Sequence, residues 1–189
     1  MSLVVRDFPR PSAEQIAAWK DIGTATAHEA FGRRGAVESV IKPISSGMRL
    51  LGPALTAVCQ PGDNLTLHAA LKLAKPGDVI VVDAGDYSEQ GLFGDLMASS
   101  AIARGVAGLV TNGGVRDAAM IRNLGFPVFA RAVSIKGTVK EILGPINHPI
   151  VLGGVPVNPG DLILGDDDGV VVIPRTEVDG VLDASLKRE

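Results

Sequence analysis

The sequence is poor in cysteine and in aromatic residues. Cys59 is the only cysteine, and Phe, Trp and Tyr together make up 4% of the 189 residues. A single cysteine excludes an internal disulfide and a zinc site with several cysteine ligands. It also fits the reducing cytoplasm, where we expect the protein to work. The scarcity of aromatic side chains predicts an aliphatic core and no surface on which nucleic-acid bases could stack.

Positive charge and long apolar runs are also limited. The net charge is −3, and no basic run is longer than two residues such as Arg33-Arg34. We therefore expect no nucleic-acid partner. The first residues lack the apolar segment of a signal peptide, and no apolar run approaches the roughly 18 residues that span a bilayer, so we expect no membrane partner.

Several motifs of nucleotide-binding and hydrolytic enzymes are missing. No two of the 23 glycines are separated by one residue, so the Gly-x-Gly-x-x-Gly dinucleotide motif is absent. There is no Gly-Lys pair of a P-loop and no Gly-x-Ser-x-Gly nucleophile elbow. The histidines, His28, His68 and His148, lie far apart and lack the spacing of metal ligands. Nucleotide-dependent, serine-nucleophile and zinc chemistry are therefore disfavoured.

The remaining pattern predicts an α/β fold in one domain over residues 1–189, with a short helical lead-in over about 1–22. A continuous β-branched run such as Val79-Ile80-Val81-Val82 is typical of a strand buried on both faces. We expect Asn64 to cap the third helix. Strands are predicted over 54–59, 79–83, 107–111, 127–132 and 169–174, and helices over 12–20, 24–31, 65–74, 94–104, 116–124 and 176–187. Their order predicts a mixed central sheet flanked by helices.

The segment from Gly94 to Asp117 holds the strongest candidate site. It begins with Gly94-Asp95-Leu96-Met97 at a predicted helix start, and it ends with Arg116-Asp117 after a buried strand. Twenty residues separate Asp95 from Arg116, about the length of a helix, a turn and a strand. Packing of the helix against the strand could bring the three side chains together. Two carboxylates and a guanidinium suit a divalent cation and an anionic substrate.

Each candidate also has a structural interpretation. Asp95 could be an ordinary helix N-cap. Arg116-Asp117 could be an exposed pair favoured by the helix dipole. Glu29 could lie on a solvated helix face, as most glutamates do. Lys136 could form a Schiff base, but its neighbours give no sign of the desolvation that this chemistry needs, so a surface position is favoured.

The motif Asp-x20-Arg-Asp, formed by Asp95 and Arg116-Asp117, resembles the signature of the family that contains class II 4-hydroxy-4-methyl-2-oxoglutarate aldolases and the regulator of ribonuclease activity A. Further segments resemble the aldolase branch, and the resemblance covers residues 21–174. It implies an RraA-like fold of the swivelling β/β/α type. The further segments are His28-Glu29-Ala30-Phe31-Gly32-Arg33, Gln60-Pro61-Gly62-Asp63-Asn64, Ser134-Ile135-Lys136-Gly137-Thr138 and Gly165-Asp166-Asp167-Asp168-Gly169-Val170-Val171.

The resemblance also implies a role for each site residue. Asp117 would bind a Mg²⁺ or Mn²⁺ ion directly, and Asp95 would hold one of its waters. Arg116 would contact the 2-oxo oxygen of the substrate, and the backbone of Gly94-Asp95-Leu96-Met97 would bind the substrate carboxylate. Glu29 would reach the site of a neighbouring subunit in a homotrimer or a hexamer built from two trimers. With Asp95 it would order the water or hydroxide that serves as the base.

The implied reaction is retro-aldol cleavage of 4-hydroxy-4-methyl-2-oxoglutarate or 4-carboxy-4-hydroxy-2-oxoadipate to pyruvate, with oxaloacetate decarboxylation as a side activity. The sequence leaves two alternatives open. One is a non-catalytic regulator of ribonuclease activity, although the retained Asp95 favours an enzyme. The other is a related lyase on another 2-oxo or hydroxy acid, because the acidic C-terminal tail of the aldolase branch has no counterpart after Lys187-Arg188-Glu189.

Overall fold

The structure is a computed structural model that describes residues 2–188. Within these residues six helices and nine strands follow one another. The helices are α1 (Ala13–Ala17), α2 (Thr24–Ala30), α3 (Leu65–Leu73), α4 (Asp95–Ala103), α5 (Ala118–Leu124) and α6 (Val178–Leu186). The strands are β1 (Lys42–Pro43), β2 (Leu50–Val58), β3 (Val79–Asp83), β4 (Gly108–Val115), β5 (Val128–Val133), β6 (Ile150–Leu152), β7 (Val155–Val157), β8 (Leu162–Asp166) and β9 (Gly169–Ile173).

Seven strands form one mixed sheet in the order β1-β5-β4-β3-β2-β8-β9. The central strands β2, β3, β4 and β5 run parallel, and β1, β8 and β9 join antiparallel to their neighbours. The edge strands β1 and β9 approach each other, and the Lys42 ammonium donates to the Asp168 carbonyl at 2.5 Å. The sheet therefore curls nearly into a barrel, which confirms the predicted α/β fold with a mixed sheet.

Successive residues of each parallel strand pack alternately into two different hydrophobic cores. In β3, Val79 and Val81 point into the curled sheet, where the β6–β7 hairpin also packs, whereas Ile80 and Val82 face the outer helices. All four are 0% exposed. Burial on both faces requires an apolar residue at every position, so the β-branched run of the sequence is explained by this double packing. A third apolar cluster forms around Trp19 and Phe31, where α2 and α6 cover β8 and β9.

Most predicted elements are present, with some shifts at their ends. Ser12 caps α1, because its side chain accepts from the Gln15 amide in a full capping box. The expected Asn64 cap is wrong. Asn64 precedes α3 but makes no capping hydrogen bond, and the Asp63 carboxylate accepts from the Leu65 amide instead.

The N-terminal segment is fastened to the sheet by a buried ion pair. Arg10 makes two hydrogen bonds to the Asp78 carboxylate, at 2.7 and 2.9 Å, and the Asp78 side chain is fully buried. Val5 also donates its amide to the Ile146 carbonyl. The predicted helical lead-in is therefore mainly extended chain before α1. Within the described residues no helix has the length and apolarity to cross a bilayer.

Candidate functional site

A cleft of about 190 Å³ lies at the carboxyl edge of the four parallel strands. The segment that follows each of these strands contributes to the wall of the cleft. Asn64 follows β2, Gly94 and Asp95 follow β3, Arg116 follows β4, and Thr138 follows β5. Parallel strands end at the same edge of a sheet, so segments that are distant in sequence meet there, which is where α/β sheets bind ligands.

Asp117 lies next to the cleft without lining it, and its unusual backbone directs its carboxylate to the start of α4. Its φ and ψ angles are 57° and 34°, the left-handed region that Asp tolerates better than most residues. It occupies the N-cap position of α5 without capping that helix. Its Oδ2 instead accepts from the Asp95 amide at 3.3 Å, and Oδ1 makes no hydrogen bond to residues 2–188. The strained backbone therefore serves to aim the carboxylate at α4.

Asp95 is the first residue of α4, and Gly94 is the N-cap. The simple N-cap interpretation of Asp95 is therefore wrong. Its Oδ1 accepts from the neighbouring Leu96 amide at 2.8 Å, while its own amide donates to Asp117. Two backbone N–H groups at the helix start thus bind carboxylates, as expected at the positive end of a helix dipole.

Arg116 lies beside the Asp117 carboxylate and, like Asp95, lines the cleft. Its Nε is 3.5 Å from Asp117 Oδ2, and 45% of its side chain is exposed. Its amide donates to the Phe93 carbonyl at 2.9 Å, which fixes the end of β4 against the residue before Gly94. A Cβ atom on Gly94 would stand 2.5 Å from Asp117 Oδ2 and 3.2 Å from Arg116 Nε. The close approach of the Asp117 and Arg116 side chains to the start of α4 therefore depends on a glycine at position 94.

Another part of the cleft wall contains residues that the sequence did not indicate as site residues. His68 of α3, Thr138 and Lys140 line the cleft. Asn64 is also there; it donates to the Leu92 carbonyl at 2.8 Å, and its buried Oδ1 has no partner in the described chain. The only signal for this wall was the pair of family-like segments 60–64 and 134–138, which the fold brings together.

Two further candidates lie away from the cleft. Lys136 is exposed and bonds the Glu89 carboxylate at 2.6 Å, which raises the pKa of the lysine and keeps it charged. This agrees with the surface position favoured from the sequence. Glu29 lies on α2, and its carboxylate pairs with Arg33 at 3.0 Å and with Arg188 at 3.6 Å. That helix packs against α6 and the β8–β9 side of the sheet, so the fold of one chain does not bring Glu29 to the cleft.

The donor set fits a water-rich Mg²⁺ or Mn²⁺ site better than a closed protein cage. No group of three or more His, Cys, Asp or Glu side chains suited to a metal occurs within residues 2–188. Mg²⁺ is often bound by one or two carboxylates and several waters. Within residues 2–188 the Asp117 Oδ1 accepts no hydrogen bond, and the lack of a side chain on Gly94 lets the carboxylate lie against the start of α4. Asp117 could therefore hold the ion, with Asp95 close by.

Comparison with known proteins gives consistent results. The family model described as RraA-like, Aldolase/RraA, matches residues 24–172. A Halalkalibacterium halodurans protein with the provisional name 4-hydroxy-4-methyl-2-oxoglutarate aldolase is 39% identical over 92% of this chain and 83% of its own length. A Shewanella oneidensis protein with the same provisional name is 38% identical over 67% of this chain and 77% of its own. The solved structure of Streptomyces coelicolor RraAS2, described as an unusual member of the RNase ES inhibitor RraA protein family, superposes with a TM-score of 0.82 at 30% identity and covers 94% of each chain.

Proposed function

The chain belongs to the RraA-like family, and on that basis we propose that it is a divalent-metal-dependent aldolase that releases pyruvate. The proposed substrates are 4-hydroxy-4-methyl-2-oxoglutarate and 4-carboxy-4-hydroxy-2-oxoadipate, with oxaloacetate decarboxylation as a side activity in the cytoplasm. The names of the relatives from Halalkalibacterium halodurans and Shewanella oneidensis support this choice.

One observation carries the proposal. The Asp117 carboxylate turns away from its own helix and bonds the first amide of α4, beside Arg116. The Asp117 and Arg116 side chains thereby lie together at the start of α4, where Asp95 and Arg116 line a cleft that a small acid can enter. The cleft, at about 190 Å³, is smaller than the roughly 300–1,000 Å³ of pockets that hold drug-sized ligands. Its size therefore suits a short 2-oxo acid.

In this proposal different residues of the chain carry out different parts of the cleavage. The backbone from Gly94 to Met97 binds the carboxylate next to the oxo group, because helix N-termini favour anions. The Asp117 and Asp95 carboxylates, which bond the Asp95 and Leu96 amides in the free chain, give up those amides when the substrate binds. A water or hydroxide ordered by Asp95 and by Glu29 of a neighbouring subunit takes the proton from the C4 hydroxyl. The C3–C4 bond then breaks, and C4 becomes a carbonyl carbon. The electron pair of the broken bond passes into the enolate of pyruvate. A proton added at C3 completes the pyruvate.

Arg116 and the metal site act on the charge that develops. The guanidinium is a fixed positive group beside the oxo oxygen, and removal of one such donor typically costs 10²–10³-fold in kcat. A divalent cation held by Asp117 would supply Lewis-acid polarisation of the oxo and carboxylate oxygens. Departure of carbon dioxide instead of a carbonyl product would give the same enolate, which is the reason to expect oxaloacetate decarboxylation.

We also propose that the active form is a homotrimer or a pair of trimers in which Glu29 completes a neighbouring site. Large apolar side chains near the cleft are exposed, including Leu96 at 80% and Ile135 at 93%. Apolar surface of this kind commonly marks an interface between chains. Light scattering coupled to gel filtration measures the mass directly, and a monomer at assay concentration would contradict this part of the proposal.

The test is a pyruvate-release assay coupled to lactate dehydrogenase, with Mg²⁺ present. Asp117→Asn keeps the size of the side chain but removes its charge, and it should abolish turnover. Asp183→Asn is the matched control, because Asp183 is an exposed carboxylate of α6 outside the cleft. Full activity in Asp117→Asn would show that the proposed metal ligand is wrong.

A second candidate function is regulation of a ribonuclease by contact. The likeness to RraAS2, which is described as a member of an RNase ES inhibitor family, supports it. A ribonuclease E-type enzyme can be assayed on a fluorescent RNA with and without the purified chain. Inhibition together with an inactive pyruvate assay would favour the regulator over the aldolase.

A further inference from the structure

Strand β4 extends beyond the part of the sheet that it shares with β3. The register between these strands ends at the pair Val82–Thr111, whereas β4 continues to Val115. The extension leads directly to Arg116 and Asp117. The contacts that hold it therefore also set the position of these two residues.

Residues 91–93 take the place of β3 beside the extension. Leu92 donates its amide to the Gly114 carbonyl at 2.9 Å, and Arg116 donates to the Phe93 carbonyl at 2.9 Å. Helix α4 begins two residues after this segment. These two hydrogen bonds therefore join the two segments of the chain that form the site.

The side chain of Asn112 fills the point where β3 and the extension separate. Its Oδ1 accepts from the Ala84 amide at 2.6 Å, and its Nδ2 donates to Asp83 Oδ1 at 2.9 Å. The same Asp83 oxygen accepts from the Gly85 amide at 2.9 Å. Asn112 is 2% exposed and does not line the cleft. Its amide group therefore replaces the backbone ladder at the point where the ladder between the strands ends.

The backbone at Asn112 is also irregular. From Thr111 to Gly114 the chain of β4 advances three residues, while the paired residues of β5 advance only two. Such a bulge changes the direction of the strand that follows it. It is closely packed, since a Cβ on Gly113 would stand 2.8 Å from the Ala84 Cβ. The course of the extension thus depends on how the bulge is held, and Asn112 is the residue that bonds it to the end of β3.

We propose that Asn112 is a positioning residue for the aldolase site and acts through the end of β4 on Arg116 and Asp117. Both polar groups of its side chain bond the end of β3, so the extension leaves the sheet at a fixed point. An apolar residue could fill the same space, but it would leave the Ala84 amide and the Asp83 carboxylate without this partner. The inference rests on the proposed function for the reaction that is affected.

Asn112→Ala tests the inference through kinetics and hydrogen exchange. The kcat for pyruvate release should fall by about 10- to 100-fold, because a misplacement of about 1 Å in a catalytic site can cost roughly 100-fold. KM should change by less than about threefold, since the interactions that are lost act in the transition state. Amide exchange measured by NMR should become about 10-fold faster at Leu92 and Arg116 and stay unchanged in α6.

Asn147→Ala is the matched control. Asn147 is also a buried asparagine, 4% exposed, and its Nδ2 donates to the Val5 carbonyl at 2.7 Å away from the cleft. Its φ angle is 59°, so alanine is strained there and this variant loses stability as well. It should nevertheless keep kcat and the exchange rates of Leu92 and Arg116.

A reversed pair of side chains provides a rescue. At pH 8 Asn112→Asp places two ionised carboxylates against each other and should lose activity as Asn112→Ala does. Adding Asp83→Asn restores one carboxylate and one amide in the opposite order. The double variant should be at least about fivefold more active than Asn112→Asp, a usual size for the coupling of two side chains in contact.

Three results would overturn the inference: a kcat of Asn112→Ala within about threefold of the wild type, an equal loss in Asn147→Ala, or no gain in the double variant. The two proposals fail separately. Faster exchange at Arg116 in Asn112→Ala, in a protein that releases no pyruvate, would refute only the aldolase. An active aldolase whose Asn112→Ala variant keeps both kcat and the exchange rates would refute only the positioning role.

Discussion

Gly94→Ala tests whether the close approach of Asp117 and Arg116 is needed for activity. The φ angle of Gly94 is −138°, an extended value that alanine adopts freely, so the backbone does not require glycine. The added Cβ would stand 2.5 Å from Asp117 Oδ2, whereas ordinary contact begins at 3.4 Å. The carboxylate oxygen must therefore move by about 0.9 Å, the difference between these two distances.

This displacement should affect catalysis far more than stability. The atom that is pushed is the end of a flexible side chain, so the fold can absorb the change, and the weaker N-cap costs only about 1 kcal/mol. A misplacement of about 1 Å in a catalytic site can cost roughly 100-fold. We expect kcat/KM for pyruvate release to fall by about 100-fold, while the melting temperature falls by only about 2–4 °C.

Gly180→Ala is the control for the added methyl group. Nothing lies within 4 Å of a Cβ at position 180, in the interior of α6, so this variant should keep full activity and gain about 0.5–1 kcal/mol of stability. Activity of Gly94→Ala within threefold of the wild type, in a folded protein, would refute the assignment of Asp117 and Arg116 to the working site.

Three predictions concern stability and reactivity. Arg10→Ala leaves the buried Asp78 carboxylate without its cation and with only the Lys75 amide as a donor, and urea denaturation should show a loss of about 3–5 kcal/mol. Burial acts to raise the pKa of Asp63, but three backbone N–H groups lower it overall. Its stabilisation is therefore complete above the unfolded pKa of 3.8 and is lost as the pH falls through the lower folded value, so the stability gap between wild type and Asp63→Asn should shrink from pH 6 to pH 3. Burial raises the pKa of Cys59 to about 12, so the native protein should not react with a thiol reagent at pH 8.

The central strands were predictable because they are buried on both faces, which requires an apolar residue at every position. In Val79-Ile80-Val81-Val82 each side chain packs on one of two cores, so the apolar run has no gaps and the strand is evident. The sequence predicted where Arg116-Asp117 lies in the fold, but it did not predict the length of the strand before it. The predicted strand ended at Thr111, whereas β4 continues to Val115. A hydrophobic pattern cannot detect an extension through glycines and an asparagine.

The Asn64 cap failed because a distant contact prevailed over a local one. Asn64 and Asp63 are both suitable caps by residue type. The side-chain amide of Asn64 instead donates to the Leu92 carbonyl, 28 residues away. The Asp63 carboxylate therefore accepts from the Leu65 amide at the start of α3. Local sequence patterns contain no information about such a partner.

The wall formed by His68 and Lys140 was not predictable for a related reason. These residues lie 72 positions apart and share no spacing pattern. They meet only because the segments that follow parallel strands end at one edge of the sheet, and the order of the strands is a property of the whole fold. By contrast, Asp95 and Arg116 belong to adjoining strand–helix units, so their meeting followed from a spacing of one helix and one strand.

Metal-dependent release of pyruvate tests the central proposal most directly. The purified wild-type protein is assayed with 4-hydroxy-4-methyl-2-oxoglutarate before and after treatment with EDTA, and again after Mg²⁺ or Mn²⁺ is restored. We predict two pyruvates for each substrate cleaved, no release in EDTA, and recovery with either ion. Release that persists in EDTA, with covalent trapping of the substrate on a lysine by borohydride, would contradict the proposal.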